Sequence, residues 1–445
     1  MTSILESIVT VPSSRIALAD NNDSYRYNDL FALKASNQET LDFLNNTVVV
    51  IKGRERFEFA LLLILLDGVA KKILFLPRDI DSSLHQKYYK EANVLYEITL
   101  NENVLTYSAV QIIDTEKICE RQHLTEWIIP TSGTTSTPKL VAHTFESLTK
   151  STKRDITLGE DYTWGLVFDI YRFSGIQVLL QSLLSGATLI ITSPTQSMAE
   201  MLVLLSNNNC TALSATSSFW RKVLMTKESN TLNLRRITLG GEIADKNILE
   251  ALNYKFKVTK ISHIYASTEV GVGFSVTDGK SGFPISYLHG TIDGTQMKID
   301  GDGLLWIAPQ NKNQRYLSTE KMYDEEGYIN TGDLVEIKED RVYFLGRDSG
   351  AINVGGNKVQ PEEVETTLLS SGLLSEAYVY AMKNPMMGSL VCADVVLSNV
   401  ELEKKEAKKI LLTYCRDHLE NFKVPAIVKF VTEIQTTQSG KLKRT

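Results

Sequence analysis

Cysteine and histidine are scarce in this sequence, and neither is spaced as a set of metal ligands. The 445 residues include four cysteines, Cys119, Cys210, Cys392 and Cys415, with no C-x-x-C pair, and six histidines with no H-x-x-x-H spacing. Zinc sites and disulfide frameworks both require such clustering. The pattern argues against a structural metal or a disulfide scaffold and predicts reduced, buried thiols.

Long hydrophobic runs are also missing. The longest, residues 59–66, is far shorter than the roughly 20 apolar residues that span a bilayer. Residues 1–15 lack the charged region and apolar stretch of a secretory signal. We therefore expect a cytoplasmic protein without stable membrane insertion.

Positive charge is not in excess. The formal net charge is -6, so no global basic field attracts nucleic acid, and an anionic ligand requires local basic residues. Hydrophobic residues make up 43% of the chain, which is enough for a large core, and the length suggests more than one domain.

Strand-like and helix-like segments alternate over most of the chain. Short β-rich runs at 47–51, 73–76, 186–191, 237–239 and 260–265 are separated by helical stretches such as 55–66 and 198–205. Such alternation predicts an α/β fold with parallel-type sheets and crossover helices. Ligands of these folds bind outside the carboxyl ends of the strands, where several polar loops fall.

The pattern changes in the last third of the chain. Residues 282–344 alternate short strands with glycine turns, which predicts a small antiparallel β subdomain. A further unit of strands and helices follows, and its charged run 403–409 is typical of a solvated helix face. We place a hinge at Ser349, between an N-terminal domain of residues 1–348 and a small, mobile α+β C-terminal domain of residues 349–445.

The segment TSGTTSTPK, residues 131–139, is rich in small and hydroxyl residues and follows a strand-like run. Crowded backbone N–H groups, hydroxyl donors and the charge of Lys139 suit phosphate oxygens, so the segment predicts a triphosphate-binding loop. It is not a Walker A loop. Neither Gly-Lys pair of the chain fits that pattern: Gly440-Lys441 is followed by Leu442, and Gly279-Lys280-Ser281 has Phe274 where the first glycine is required. The alternative is a surface linker rich in serine and threonine.

Six short motifs follow one another over about two thirds of the chain: TSGTTSTPK (131–139), GGE (240–242), YASTE (265–269), TGD (331–333), GRDSGAINVGGNKVQPEEVE (346–365) and SGKLKR (439–444). In this order they resemble the motifs of the adenylate-forming superfamily, which comprises acyl- and aryl-CoA synthetases, peptide-synthetase adenylation domains and luciferases. The sequence is most similar to a short acyl- or aryl-CoA synthetase.

The resemblance implies that ATP and Mg²⁺ bind here. Residues 131–139 would hold the β- and γ-phosphates, Asp333 the ribose hydroxyls, and Tyr265 would stack on adenine. Glu269 would coordinate magnesium. The nucleotide-binding residues implied in this way are Thr131, Ser132, Gly133, Thr134, Thr135, Lys139, Gly240, Gly241, Glu242, Tyr265, Ala266, Asp333 and Arg347.

The catalytic residues implied by the resemblance are Lys441, Thr268 and Glu269. Thr268 would donate to the α-phosphate, and Lys441 would be delivered by the C-terminal domain to the acyl carboxylate. That domain would then turn so that Gly355 and Gly356 line the thiol tunnel. Simpler roles stay open: a solvated tail for Lys441, a helix-terminal charge for Glu269, a turn former for Asp333 and a core residue for Tyr265.

Several positions depart from the pattern of the superfamily. Ser136, Leu140 and Ala266 each replace a glycine, and Ser349 stands where Asp or Lys is usual. If position 136 requires a positive φ, a side chain there costs about 1 kcal/mol in strain. No charge required by the chemistry is lost.

The acyl pocket is less well defined by the sequence. We assign Arg172, Ser174, Gly175 and Ser214 to it, with residues 270–273 completing its wall. Arg172 is a candidate partner for a second carboxylate of the substrate. A salt bridge with Asp169, or a position in solvent, explains the residue equally well.

Three functions follow as hypotheses. The first is an ATP-dependent ligase that activates a small or aryl carboxylic acid as acyl-AMP and transfers it to coenzyme A. The second transfers the acyl group to the phosphopantetheine of a separate carrier protein. The third is a nucleotide-binding homologue without turnover.

Overall fold

The fold is given by a computed structural model that describes residues 3–110, 124–131, 137–257, 259–309, 312–384, 388–398, 402–436 and 442. Within these ranges, no helix is both long and apolar enough to cross a membrane. Three of the cysteines, Cys210, Cys392 and Cys415, are buried free thiols, and Cys119 lies outside the described residues.

Strands and helices alternate from the first described residues, as the sequence predicts. The predicted helix 55–66 is α4, and the predicted strands 47–51 and 73–76 are β3 and β4. The elements of this part are α1 (Ile4–Ile8), β1 (Ile16–Ala19), β2 (Ser24–Arg26), α2 (Tyr27–Ser36), α3 (Gln38–Leu44), β3 (Val48–Lys52), α4 (Arg56–Leu66), β4 (Lys72–Leu76), α5 (His85–Ala92), β5 (Tyr96–Asn101) and β6 (Val104–Ala109).

The alternation continues through the motifs. Side chains cap the helix starts: Ser197 and Glu200 form a capping box at α9, and Asp245 accepts two backbone N–H groups at α11. The elements are β7 (Glu126–Pro130), β8 (Leu140–Thr144), α6 (Phe145–Thr149), α7 (Ile156–Gly159), β9 (Thr163–Leu166), α8 (Phe173–Leu184), β10 (Thr188–Ile191), α9 (Met198–Asn207), β11 (Ala212–Ala215), α10 (Ser217–Met225), β12 (Arg236–Gly240), α11 (Lys246–Lys255), β13 (Lys260–Ser267) and β14 (Gly271–Val276).

Two sheets with mainly parallel cores are built from these elements. One has the order β14-β13-β12-β11-β9-β10-β1-β2, and its pairs from β13 to β1 are parallel. The other contains β8-β7-β4-β3-β5-β6, with β7, β4, β3 and β5 parallel. The predicted α/β fold class is confirmed.

Helix α4 is buried on nearly all sides. A helix that is apolar all round belongs in an interior. Its residues share one hydrophobic core with strands of both sheets and with α8, so α4 lies between the sheets. A second core joins α9, α10 and α11 to the other face of the first sheet. This packing supports β11, β12 and β13 from behind.

The predicted antiparallel β subdomain is also present. Its sheet has the order β15-β20-β19-β17-β16, with every pair antiparallel, while β18 pairs with β8 of the second sheet. The strands are β15 (Phe283–Pro284), β16 (Gln296–Ile299), β17 (Leu304–Ala308), β18 (Arg315–Tyr316), β19 (Ile329–Lys338) and β20 (Arg341–Arg347).

The C-terminal segment has its own sheet and hydrophobic core. A 3₁₀ turn at Asp348–Gly350 separates β20 from it, so the predicted boundary at Ser349 falls between two sheets. The boundary itself stays a prediction. The elements are β21 (Ile352–Val354), β22 (Asn357–Val359), α12 (Pro361–Ser370), β23 (Leu374–Asn384), β24 (Gly388–Leu397), α13 (Lys404–His418) and β25 (Ile427–Phe430).

Candidate active site

A cavity of about 1580 Å³ opens where the carboxyl ends of β11, β12 and β13 meet the β subdomain and the C-terminal segment. Most of the predicted site residues within the described ranges line it. These are Thr131, Lys139, Arg172, Ser174, Ser214, Gly240, Gly241, Glu242, Tyr265, Ala266, Thr268, Glu269, Asp333, Arg347 and Ser349.

Asp333 is held from two sides at one wall of this cavity. The Tyr265 hydroxyl donates to its Oδ2 at 2.6 Å, and Nε of Arg347 lies 2.8 Å from its Oδ1. Gly332, at φ +70°, makes the turn that presents Asp333, a backbone conformation that suits glycine. Burial raises the pKa of Tyr265 well above its usual value, and the Asp333 charge adds to the effect. Tyr265 therefore stays a neutral hydrogen-bond donor.

The ring of Tyr265 belongs to an aromatic cluster. It stacks on Phe274 at 5.4 Å and 10° and on Phe344 at 5.3 Å and 1°. Tyr265 is thus partly a core residue, as the simpler interpretation held, while it also lines the cavity. Stacking on adenine stays a prediction.

Thr268 and Glu269 follow the end of β13, where the sequence places them. Thr268 is buried. His143 of β8 is also completely buried, and burial lowers its pKa to about 4, with the main chain of Thr268 acting in the opposite direction. The ring of His143 lies 5.7 Å from that of Phe173. A neutral imidazole thus packs beneath the predicted catalytic turn.

The two ends of the phosphate-loop segment are joined by hydrogen bonds. The Thr131 amide donates to the Lys139 carbonyl at 2.8 Å, and the Lys139 amide donates to Thr131 Oγ1 at 3.0 Å. The remaining predicted loop contacts lie outside the described residues: Ser132, Gly133, Thr134 and Thr135. Ser136, one of the departures, lies outside them too.

The ammonium group of Lys139 has a partner that no motif indicated. It forms a salt bridge with Glu320 and lies 4.8 Å from the centre of the Tyr316 ring. Burial raises the pKa of Tyr316, and Glu269 and Glu320 act in the same direction. The charges of Lys139, Glu320 and Glu269 therefore all lie close to the Tyr316 ring. A nucleotide phosphate would have to replace Glu320 at Lys139.

Arg172 lines the cavity, but its donors are already in use. One terminal nitrogen contacts both oxygens of Asp79 at 2.8 and 3.0 Å, and the other donates to the carbonyls of Pro130 and Thr131 at 3.3 and 3.0 Å. Its Nε lies 3.8 Å from Asp169, the salt bridge considered as an alternative. The idea that Arg172 binds a second carboxylate is therefore revised: the residue anchors the chain at Pro130 and Thr131, where the predicted triphosphate-binding loop begins.

Gly175 does not line the cavity, in contrast to Ser174 and Ser214. A Cβ at this position would lie 2.3 Å from the Asp169 carbonyl oxygen. Gly175 therefore lets the first turn of α8 pack against the chain at 169–170, and its assignment to the pocket wall is corrected to a packing role.

Sequence analysis missed the polar end of the cavity beside α6 and α8. Lys150 and Lys153 line it together with Gln177 and Gln181, two α8 residues one turn apart. Gln181 exchanges two hydrogen bonds with the backbone of Lys153, at 3.2 and 3.1 Å, and Gln177 donates to the Leu148 carbonyl at 2.8 Å. In the sequence, the four-residue spacing of Gln177 and Gln181, which puts both on one face of α8, is the signal that could have indicated this end of the cavity.

Leu140 and Ala266, which stand where the superfamily usually has glycine, show no backbone strain. Neither residue has a positive φ. Leu140 begins β8 with its side chain 1% exposed in a hydrophobic core, and Ala266 lies within β13. By contrast, Gly355 and Gly356 have φ of +59° and +92° in an exposed turn between β21 and β22 that does not line the cavity.

The chain that follows β25, called the C-terminal tail from here on, contacts the GGE motif through Leu442. Lys441 lies outside the described residues, but the amide of Leu442 donates to Glu242 Oε1 at 3.0 Å. The other Glu242 oxygen accepts the amide of Ser218 at 2.8 Å. Both oxygens of Glu242 thus bind main-chain N–H groups, which differs from the predicted nucleotide contact.

Comparison with known proteins agrees with this architecture. The profile of the AMP-binding enzyme family matches residues 76–307, and that of the AMP-binding enzyme C-terminal domain matches residues 363–441. The 2-succinylbenzoate–CoA ligase of Bacillus pumilus (strain SAFR-032) is 28% identical over 338 residues, which cover 72% of this chain and 68% of that protein.

Solved structures share the fold over the full length. o-Succinylbenzoate CoA synthetase (MenE) from Bacillus subtilis, in complex with the acyl-adenylate intermediate OSB-AMP, has a TM-score of 0.74 at 21% identity and covers 100% of this chain and 97% of its own. The same enzyme with ATP and magnesium ion has a TM-score of 0.72 at 21% identity, covering 100% and 98%. Because one family profile spans more than half of the residues, this chain belongs to the AMP-binding enzymes, the adenylate-forming superfamily that its motifs resemble.

Proposed function

We propose that this chain is an ATP-dependent, AMP-forming ligase that joins an aryl carboxylic acid to coenzyme A. The observation that carries the proposal is the single cavity in which Asp333, bound by Tyr265 and Arg347, shares a wall with Thr268 and Glu269. A carboxylate accepts both hydroxyls of a ribose, and the neighbouring groups suit phosphate. Cytoplasm, where ATP and coenzyme A are both available, is the proposed location.

The first half-reaction follows from these groups. A carboxylate oxygen of the acid attacks the α-phosphorus of ATP, a C–O–P linkage forms, and pyrophosphate leaves with the electrons of the broken P–O bond. Thr268 at the end of β13 would donate to the α-phosphate, and Lys139 would exchange Glu320 for a phosphate oxygen. Preorganised donors and cations stabilise the charge that grows on these oxygens.

Glu269 fits the single carboxylate that Mg²⁺ commonly takes from a protein when phosphates and water complete its shell. Glu269 lines the cavity, and its charge raises the pKa of Tyr316, as the charge of Glu320 does. The ion would neutralise the developing charge of pyrophosphate.

The second half-reaction is thioester formation. The thiol of coenzyme A attacks the acyl carbonyl, a C–S bond forms, and AMP leaves with the electrons of the C–O bond. We propose that residues 349–445 turn about Ser349 between the two steps, with Gly355 and Gly356 near the thiol and Lys441 serving the first step. Lys441→Ala should abolish acyl-AMP formation but spare thioester formation from supplied acyl-AMP; equal losses in both steps would contradict this role.

The acid itself is proposed to carry a second anionic group, as 2-succinylbenzoate does. Aromatic residues Phe168 and Phe173 line the cavity and suit an aryl group. Lys150 and Lys153 lie at the end beside α6 and α8, and burial lowers the pKa of Lys150, with Asp293 acting in the opposite direction. In the part of the chain that the structure describes, neither lysine forms a salt bridge, whereas the guanidinium of Arg172 is held by Asp79 and two carbonyls.

The test is pyrophosphate exchange into ATP with 2-succinylbenzoate, benzoate and acetate, followed by AMP release with coenzyme A. We expect 2-succinylbenzoate to be preferred and AMP release to depend on coenzyme A. In the Lys150→Ala/Lys153→Ala variant, KM for 2-succinylbenzoate should rise up to about 10-fold, in line with two exposed charge contacts, while KM for benzoate changes little.

The matched control is Lys246→Ala, which removes an exposed lysine of α11 paired with Glu250. It should leave both KM values unchanged. Equal use of benzoate and 2-succinylbenzoate would refute the second anionic group, and absence of exchange with every acid would refute the ligase. AMP release with a holo carrier protein in place of coenzyme A would favour the carrier alternative.

A further inference from the structure

Glu242 connects the GGE motif to the C-terminal tail. One oxygen accepts the Ser218 amide at the start of α10, and the other accepts the Leu442 amide. Leu442 also forms an antiparallel bridge with Thr436, so it is held to the rest of the tail. Hydrogen bonds to an ionised acceptor are stronger than neutral ones. Glu242 therefore ties the tail to α10.

A second contact lies on the same face of α10. Lys222 is four residues after Ser218, which places both on one side of the helix. Its ammonium group donates to the Ile434 carbonyl at 3.3 Å. Across the interface, Glu376 of β23 is partly buried, which raises its pKa, while the charges of Lys222 and Arg221 act in the opposite direction. The C-terminal segment thus meets a positively charged helix face.

The contacts between the two parts of the chain extend beyond α10. The Asn247 side chain of α11 donates to Ser370 Oγ of α12 at 3.1 Å. Together, these contacts define one docked arrangement of the C-terminal segment.

We infer that Glu242 is a positioning residue. By binding the Leu442 amide it acts as a latch, which holds the C-terminal tail in the arrangement in which acyl-AMP forms. The inference rests on the proposed function, because Leu442 is the residue that follows Lys441 in the chain. The Glu242–Leu442 bond exists only while the tail is docked. A contact made in one of two states shifts the population toward that state, so the latch favours acyl-AMP formation over thioester formation.

This role predicts a split between the two half-reactions. Glu242→Ala removes both acceptors, so pyrophosphate exchange with 2-succinylbenzoate should fall about 10- to 100-fold, the range for loss of a charged hydrogen bond. Thioester formation from supplied acyl-AMP should stay within about 2-fold, because that step uses the undocked tail. Glu242→Gln, which keeps one oxygen acceptor, should lose less than the alanine variant.

A measurement independent of catalysis accompanies the kinetics. Hydrogen–deuterium exchange of the C-terminal peptide that contains Leu442 is followed in the full chain without ligand. In Glu242→Ala this amide should exchange about 10-fold faster or more, because its acceptor is gone. The matched control is Glu250→Gln on the exposed side of α11, which should change neither half-reaction nor tail exchange.

The outcomes separate the latch from other roles. Unchanged tail exchange in Glu242→Ala overturns the inference, and so does an equal loss in both half-reactions, which would assign Glu242 to nucleotide binding. If no acid supports pyrophosphate exchange in the unmodified chain, the proposed function fails. Hydrogen–deuterium exchange of the Leu442 peptide then decides by itself whether Glu242 holds the tail.

Discussion

Two buried titratable groups impose opposite pH dependences on the stability of the N-terminal region. Asp67 accepts the Ile4 amide at 2.7 Å and the Trp127 indole N–H at 2.9 Å, yet its burial raises its pKa from 3.8 to about 7. His143 pairs with Trp127 across β7 and β8, and burial lowers its pKa from 6.5 to about 4.

The signs follow from proton binding. The folded state holds a proton on Asp67 more tightly than the unfolded state, so this contribution is complete below pH 3.8 and is lost as pH rises toward 7. His143 is the reverse, because its neutral form is favoured by folding: its contribution is complete above pH 6.5 and is lost as pH falls toward 4. Between about pH 4.5 and 6 each contributes a slope of about 1.4 kcal/mol per pH unit, with opposite sign.

The perturbations are Asp67→Asn and His143→Gln, which remove one charge change each. Relative to the unmodified chain, the free energy of unfolding of Asp67→Asn should rise with pH by about 1 kcal/mol per unit between pH 4.5 and 6, and that of His143→Gln should fall by a similar amount. Because Trp127 contacts both residues, the double variant measures their coupling.

Urea unfolding followed by tryptophan fluorescence at several pH values gives these free energies. Subtracting the free energy of unfolding of the unmodified chain at each pH removes the contributions of all titratable groups that the two chains have in common. If both single variants keep the slope of the unmodified chain, neither side chain titrates as its burial requires, and the reasoning is refuted.

Three further predictions concern the site and its supports. Tyr265→Phe keeps the aromatic packing but removes the hydroxyl on Asp333, so KM for ATP should rise about 10-fold in steady-state assays while the melting temperature changes little. Gly175→Ala should lower the free energy of unfolding by about 1–3 kcal/mol, because the new methyl meets backbone, whereas Gly301→Ala, which meets open space, should be tolerated. Arg172→Lys should weaken ATP binding about 10-fold, because an ammonium group cannot replace the planar donors that hold the start of the phosphate loop; unchanged binding would contradict that anchoring role.

Sequence signals that act over short distances predicted the fold well. Helix α4 (Arg56–Leu66) matches the predicted helix 55–66, and the loops after β12 and β13 carry the motifs at the carboxyl ends of parallel strands. Hydrophobic period, strand propensity and turn residues are local properties, so a single chain displays them. The position of the site follows once the strands are known to be parallel.

Partners that are distant in sequence were not predictable in the same way. Tyr265 and Asp333 are 68 residues apart, Arg172 and Asp79 are 93 apart, and Glu242 and Leu442 are 200 apart. Each pair depends on how separate sheets and domains pack, which no local pattern encodes. The GGE motif therefore located Glu242 at the cavity, and the pocket assignment located Arg172 there, whereas the partners of both residues follow only from the structure.

The hypothesis of a nucleotide-binding homologue without turnover was based on side chains at positions 136 and 266, where glycine is usual. Ala266 costs no backbone strain, because it continues β13 with an ordinary φ, and its neighbour Tyr265 still reaches Asp333. The same holds for Leu140, whose side chain packs in a hydrophobic core. These substitutions leave Lys139, Glu269 and Asp333, the residues proposed to act on ATP, around one cavity. The argument from missing glycines therefore loses its physical basis at Leu140 and Ala266, while position 136 lies outside the described residues.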